Sequence, residues 1–223
     1  MAKKYENMTD AEKMMYFICT NHKGKMENMW SISTSTILNE NCKRMREIEG
    51  SICQSCYAYA MAMYRKSMAE KLRRATEFLT TRIVPLKDIP YLNCELFRFE
   101  AFGDINNEMQ VVNYFNYARK NGHVHCALWT KHPQVIKRAM EVYGIEKPKN
   151  LCIILSSPML NRRLNYEMVI KVYPFVDKIF TVWTKEEAEK QGIIINCGGR
   201  KCALCQTCYH IENGIVYIDE LKK

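Results

Sequence analysis

Four cysteines, Cys197, Cys202, Cys205 and Cys208, fall within the run Asn196 to Tyr209 (NCGGRKCALCQTCY), a C-x4-C-x2-C-x2-C array. Four thiols held in about one loop point to a metal centre. A second group, Cys42, Cys53 and Cys56, has the spacing C-x10-C-x2-C, so seven of the eleven cysteines belong to two ligand-like groups. In the array, Cys202, Cys205 and Cys208 at i, i+3 and i+6 can take three corners of one iron-sulfur cube. Cys197 is the obvious fourth ligand, and Gly198 and Gly199 allow the tight backbone that this needs. Zinc is the competing occupant, because four thiolates also suit a tetrahedral site. Zinc more often uses two C-x2-C knuckles with a longer spacer, so the spacing favours iron-sulfur. The three-cysteine group leaves one metal position open, which is what a catalytic centre needs for substrate or cofactor. Cys19, Cys94, Cys126 and Cys152 stand singly and read as small buried hydrophobes.

The 223 residues, 48% hydrophobic, suffice for one sizeable core and are few for two, so one domain over 1–223 is expected. Met1-Ala2-Lys3-Lys4 is followed by polar residues and not by an apolar core, and no run reaches transmembrane length. A cytoplasmic protein with no membrane partner is expected. In a reducing cytosol disulfides do not persist, which turns clustered thiols into metal ligands or redox groups. The net charge of +9, from 33 basic and 24 acidic residues, points to anionic partners, with nucleic acid the first candidate. The basic residues are spread in short runs such as Lys43-Arg44 and Arg162-Arg163, and no basic stripe stands out.

The elements that must position these groups alternate along the chain. Strands are predicted over 28–37, 96–103, 124–130, 151–156, 178–183 and 193–196, and helices over 55–80 and near 107–120, 133–143, 164–172 and 185–190. About six β/α units in this order imply a parallel sheet. The first 25 residues read as a helical extension and 209–221 as a closing hairpin or strand. Each unusual polar segment follows a predicted strand: the Cys42–Cys56 loop, Gly103-Asp104, Thr130-Lys131-His132, Ser156-Ser157-Pro158, Thr184-Lys185 and the Cys197 array. That edge is where parallel α/β proteins assemble their sites.

A three-cysteine loop after the first strand, a C-x2-C pair within it and a following helix resemble the radical S-adenosylmethionine superfamily, although Cys42 lies ten residues before Cys53 where that superfamily has a three-residue spacer. The resemblance implies a partial parallel β/α barrel over 28–196, followed by a Cys-rich loop and closing hairpin over 197–223. It also implies a [4Fe-4S] cluster on Cys42, Cys53 and Cys56, S-adenosylmethionine as cofactor, and an electron donor such as a flavodoxin or ferredoxin. By the same resemblance Gly103 and Asp104 stand where the methionine amino group is held, and Ser156, Ser157 or Lys131 could meet its carboxylate or ribose. Asp104 and Lys131 are thereby candidate catalytic residues; on the residues alone, Gly103-Asp104 is equally a turn with a helix cap. The segments Ser31 to Thr36, Asn39 to Cys42, Ile52 to Ala58, Arg98 to Asp104, Ala127 to Lys131, Ser156 to Pro158 and Asn196 to Gly199 together resemble a bacteriophage and prophage family, the gene product 88 family, which implies a host-cytoplasmic setting. The expected function is an iron-sulfur, radical S-adenosylmethionine-like enzyme with an auxiliary four-cysteine cluster. The alternatives are a zinc-stabilised nucleic-acid-binding protein and a non-catalytic electron-transfer module.

Overall fold

A computed structural model describes residues 4–21 and 23–222; Met1 to Lys3, which open the segment read for a leader, lie outside the described residues, as do His22 and Lys223. Seven strands form one sheet: β1 (Cys19–Thr20), β2 (Trp30–Ile32), β3 (Leu96–Phe99), β4 (His125–Thr130), β5 (Leu151–Ser156), β6 (Lys178–Trp183) and β7 (Tyr217–Leu221). Their spatial order is their sequence order. β1 pairs antiparallel with β2, and β2 to β7 are parallel throughout. The expected α/β class and parallel sheet are present, but the sheet ends in β1 and β7 and does not close into a barrel. Nine α-helices are found among the described residues: α1 (Asp10–Phe17), α2 (Glu40–Glu47), α3 (Tyr57–Tyr64), α4 (Lys66–Thr81), α5 (Glu108–Lys120), α6 (Pro133–Tyr143), α7 (Tyr166–Val172), α8 (Lys185–Lys190) and α9 (Cys202–Cys205). None is long and apolar enough to cross a membrane.

Strand alternation sorts the sheet into two faces. Phe97, Phe99, Cys126, Leu128, Leu151, Ile153, Leu155 and Ile179 face the helices, where they join Phe78, Leu79, Tyr114, Phe115 and Ile136 in the main core. Leu96, Ala127, Cys152, Ile154 and Ile218 face the other way and pack with Tyr209, Cys197, Cys202 and Cys208. The Cys-rich segment therefore covers the face opposite the main core.

Several predicted elements fall elsewhere, for identifiable reasons. The sixth parallel strand is 217–221, and 193–196 makes only an isolated bridge at Cys197 to Glu220. The six residues of α8 climb about 9 Å, against about 20 Å for the six of β6. The chain is thus still near the C-terminal edge at residue 193, and it returns to the start of β7 through the cysteine array. Of the closing hairpin or strand expected over 209–221, the strand is present as β7, parallel to β6. The 28–37 strand stops at Ile32, because the Ser33 hydroxyl accepts from the Phe102 amide and the Thr34 amide and hydroxyl donate to Glu100 instead of joining a ladder. Strand 96–103 stops at Phe99, because Glu100 adopts φ 56 and leaves extended geometry. The 55–80 helix is two helices, broken at Arg65 (φ −107, ψ 83) with neither Gly nor Pro to announce it. The N-terminal extension holds α1 but then turns into β1, paired with β2.

The connection from α4 to β3 has only one 3-10 turn, and buried asparagines peg it to α5. Asn113 accepts from the Val84 amide at 2.8 Å and donates to the Leu79 and Arg82 carbonyls at 2.9 and 2.8 Å, with no exposed surface. Asn113→Leu removes three bonds and strands three backbone groups, at a cost of about 2–4 kcal/mol. A urea midpoint unchanged from wild type would show that these bonds do not hold the connection.

Candidate metal centres on two faces of the sheet

The three-cysteine group is built from two chain segments tied to different strand ends. Asn39 caps α2, its side chain accepting from the Cys42 amide at 3.1 Å, while its Nδ2 donates to the Asp104 carbonyl at 2.9 Å. Cys42 is thus fixed to the loop after β3. The Ser51 hydroxyl accepts from the Cys53 amide at 3.1 Å and donates to the Pro158 carbonyl at 3.2 Å, and the Ile52 amide donates to the same carbonyl at 3.0 Å. Cys53 is thus fixed to the loop after β5. Cys56 caps α3 by position, and its amide donates to the Cys53 carbonyl at 3.2 Å. The next residue, Tyr57, donates its hydroxyl to the Ala101 carbonyl at 3.2 Å.

Burial pushes the Cys42 thiol well up; the Asp104 carboxylate and Cys53 add to this and the Lys131 ammonium opposes it. Burial also raises Cys53, against the pull of Lys131 and of the Ser51 hydrogen bond, with Cys56 and Asp104 pushing it higher. Cys42, Cys53, Asp104 and Lys131 therefore share one electrostatic neighbourhood, at the C-terminal edge that the sequence indicated.

Asp104 is 4% exposed and its carboxylate is already engaged. Oδ1 accepts from the Thr130 hydroxyl at 2.5 Å and the Ile105 amide at 2.8 Å, and Oδ2 accepts from the Lys131 amide at 2.8 Å. Its visible work is to join the loop after β3 to the end of β4. The Lys131 side chain stays half-buried beside the thiols. Gly103, at φ 86, lies so close to β2's exit that a Cβ would sit 2.6 Å from the Thr34 carbonyl oxygen and 2.9 Å from Glu100 Oε2. The Ser157 hydroxyl is consumed within its turn, donating to the Arg162 carbonyl at 2.5 Å and the Met159 carbonyl at 3.2 Å. Ser156 ends β5 on the face opposite the main core and is buried.

Glu100 is a site residue that the sequence reading did not single out. It is 2% exposed, and Oε1 accepts from the Thr34 hydroxyl at 2.9 Å, Gln110 Nε2 at 2.6 Å and the Tyr114 hydroxyl at 2.5 Å. Oε2 accepts from the Thr34 amide at 3.1 Å. Burial pushes its carboxyl up to about 8 even against these donors. An acidic residue closing the apolar run Leu96-Phe97-Arg98-Phe99, just ahead of Gly103-Asp104, was the available signal.

The four-cysteine group starts at that edge, where Cys197 bridges Glu220, and then leaves it. Cys208 lies close enough to Cys152, at the start of β5, to feel its charge, and His210 packs on His125 at the start of β4, ring centroids 4.3 Å apart. The array therefore crosses the sheet from one edge to the other, and the expectation that all six polar segments share one rim fails for its later part. Cys197, Cys202, Cys205 and Cys208 together line a cavity of about 540 Å³ with Lys25 and Arg200. Burial raises Cys197, Cys202 and Cys208, and Cys197 and Cys202 both feel the Lys25 charge. Cys205 also loses hydration, but hydrogen bonds from Thr207 together with Arg200 and Lys25 bring its thiol below the ordinary value. Besides Arg200, Lys25 and Arg98, which were not among the expected site residues, bring positive charge to this group: Lys25 Nζ lies 3.0 Å from Cys197 Sγ, and Arg98 lies over the Trp129 ring at 4.0 Å and bears on Cys202 and Cys208.

As the side chains stand, no three His, Cys, Asp or Glu among the described residues converge so as to hold a metal ion. A single tetrahedral zinc needs its sulfurs about 3.8 Å apart, from a zinc–sulfur bond of about 2.3 Å. Compared with protein-family models, curated proteins and solved structures, the chain matches none.

Proposed function

We propose that the protein is an iron-sulfur enzyme of radical S-adenosylmethionine-like type, with Cys42, Cys53 and Cys56 holding a cluster that has one open position. In this reading Cys197, Cys202, Cys205 and Cys208 hold an auxiliary cluster, and the chain is akin to the gene product 88 family. The observation that carries the proposal is that hydrogen bonds tie the Cys42 segment to the loop after β3 and the Cys53 segment to the loop after β5, which puts both thiols in the electrostatic neighbourhood of Lys131 and Asp104 at the C-terminal edge of a sheet wound in sequence order. Strands in that order with an open end are compatible with a partial barrel. A cluster held by these three cysteines would supply one-electron reductive cleavage of S-adenosylmethionine.

The chain's own part is electrostatic and positional. Lys131 offsets the charge of the Cys42 and Cys53 thiolates, and its half-buried ammonium is available to a carboxylate. Asp104 holds the Lys131 amide and with it the start of α6. Glu100 and Gly103 fix the floor beneath them, next to the exit of β2.

Protein purified without oxygen is expected to be brown and to carry iron with acid-labile sulfide, about eight of each per chain for two cubanes or about four for one. Reduced in the presence of S-adenosylmethionine it should release 5'-deoxyadenosine, and Cys42→Ala, Cys53→Ala and Cys56→Ala together should abolish that release. Colourless protein holding zinc without sulfide would sink the proposal and leave the zinc-stabilised binding protein in its place. Clusters that reduce reversibly but never cleave the cofactor would reduce it to electron transfer.

A further inference from the structure

The turn between β1 and β2, more than 170 residues from the array in sequence, is clamped onto it. Lys25 Nζ lies 3.0 Å from Cys197 Sγ and 2.8 Å from Glu220 Oε1, so one ammonium bridges the array and β7. The Cys202 amide donates to the Lys25 carbonyl at 2.7 Å, fixing the start of α9 against the same turn. Lys201 Nζ pairs with Glu27 Oε2 at 3.1 Å, and Met26 packs into the apolar cluster that holds Cys197, Cys202 and Cys208. Lys25 also lines the cavity that the four thiols share. Three polar contacts and one apolar contact thus join residues 25–27 to the cysteine-bearing loop.

We propose that Lys25 is a positioning residue of the four-cysteine centre, and that filling this centre and docking the 23–29 turn are energetically linked. The inference rests on the metal-centre reading of the array. Four thiolates gathered in one cavity repel one another, and a cation donating a hydrogen bond to Cys197 reduces that repulsion while fixing the sulfur in place. Linkage makes the effect reciprocal: a loaded centre holds the turn, and a docked turn holds the metal. Arg98 supplies the second counter-charge from the sheet side.

The test compares wild type, Lys25→Met and Lys25→Arg, each loaded anaerobically with iron and sulfide and challenged with an iron chelator. Lys25→Met is expected to weaken metal retention by about 10- to 100-fold, the usual size of a lost outer partner, and Lys25→Arg to restore most of it. Hydrogen exchange adds a readout that does not depend on activity: loading should protect amides of 23–29 as well as of 197–209 in wild type, and only those of the array in Lys25→Met. Equal retention in wild type and Lys25→Met, or no protection of 23–29 on loading, overturns the linkage while the metal reading stands. If wild type itself takes up no metal at the array, both fall. Should Lys25→Met fail to fold, Glu27→Gln, which removes the ion pair between the turn and Lys201, is expected to weaken retention in the same direction, and unaltered retention there counts against the proposal.

Discussion

Gly103→Ala is expected to lose about 3–5 kcal/mol of stability, an exceptional figure for one methyl group. Two causes add. At φ 86 an L-residue is strained wherever it sits, and the new Cβ would meet the Thr34 carbonyl oxygen at 2.6 Å, a backbone atom that cannot swing aside. Thr34 is held in turn by Glu100, and Asp104 next door holds the Lys131 amide, so the strain falls on the segment supporting Cys42 and Lys131. The urea midpoint should drop sharply, and Cys42 should react faster with a thiol reagent in the metal-free protein. A midpoint within about 0.5 kcal/mol of wild type would mean that the β3 exit loop relaxes freely, and the rigid floor argued for the site would be wrong.

Glu100→Ala is expected to cost about as much for a different reason, because it strands the Thr34 amide and hydroxyl, Gln110 Nε2 and the Tyr114 hydroxyl inside the protein. The wild-type carboxyl also predicts a pH dependence. Its folded value is raised to about 8 from 4.5, so between those values the folded state binds the proton more tightly than the unfolded one. Its contribution to stability is therefore full below about pH 4.5, falls as pH rises, and levels off above about pH 8. Glu100→Gln, which cannot titrate, should show a flatter stability profile across that interval. A wild-type profile that rises there and is unaffected by Glu100→Gln would place the proton elsewhere.

The centre of the sheet was readable because its strands are buried on both sides and its helices carry end signals. β5 and β6 are short apolar runs, α6 begins with Pro133 and ends at Gly144 in the left-handed region, and Thr184 caps α8 by accepting from the Glu187 amide at 3.3 Å. Each has the predicted bounds. The margins misled because local pattern and tertiary demand disagree. Ser33 to Thr36 alternate like a strand, yet Ser33 and Thr34 spend their polar groups on the β3 exit loop, and the Ser35 amide donates to Thr76. Residues 193–195 are all isoleucine, yet Ile194 is 83% exposed because the chain has not travelled far enough to start another parallel strand.

The candidate sites divide in the same way. Cysteine spacing disclosed both thiol groups, since spacing is a local property. Their supports, Glu100 for one and Lys25 and Arg98 for the other, come from distant segments that only the fold brings near. Of these Arg98, a charge inside the run Leu96-Phe97-Arg98-Phe99, could have been noticed; Lys25, in a polar turn, carries no distinguishing mark.

The clamp between Lys25 and Cys197 sets a timetable for the nascent chain. The two residues are separated by 172 positions, which at about 5–20 residues per second takes the ribosome roughly 10–30 s. Throughout that interval Met26 and Met29 have no array to pack against, and β3, β4 and β5, as each is made, present a surface that the array covers only later. The face bearing the four thiols therefore waits for its cover until almost the whole chain has been made, and its apolar cluster is complete only once Ile218 has been added.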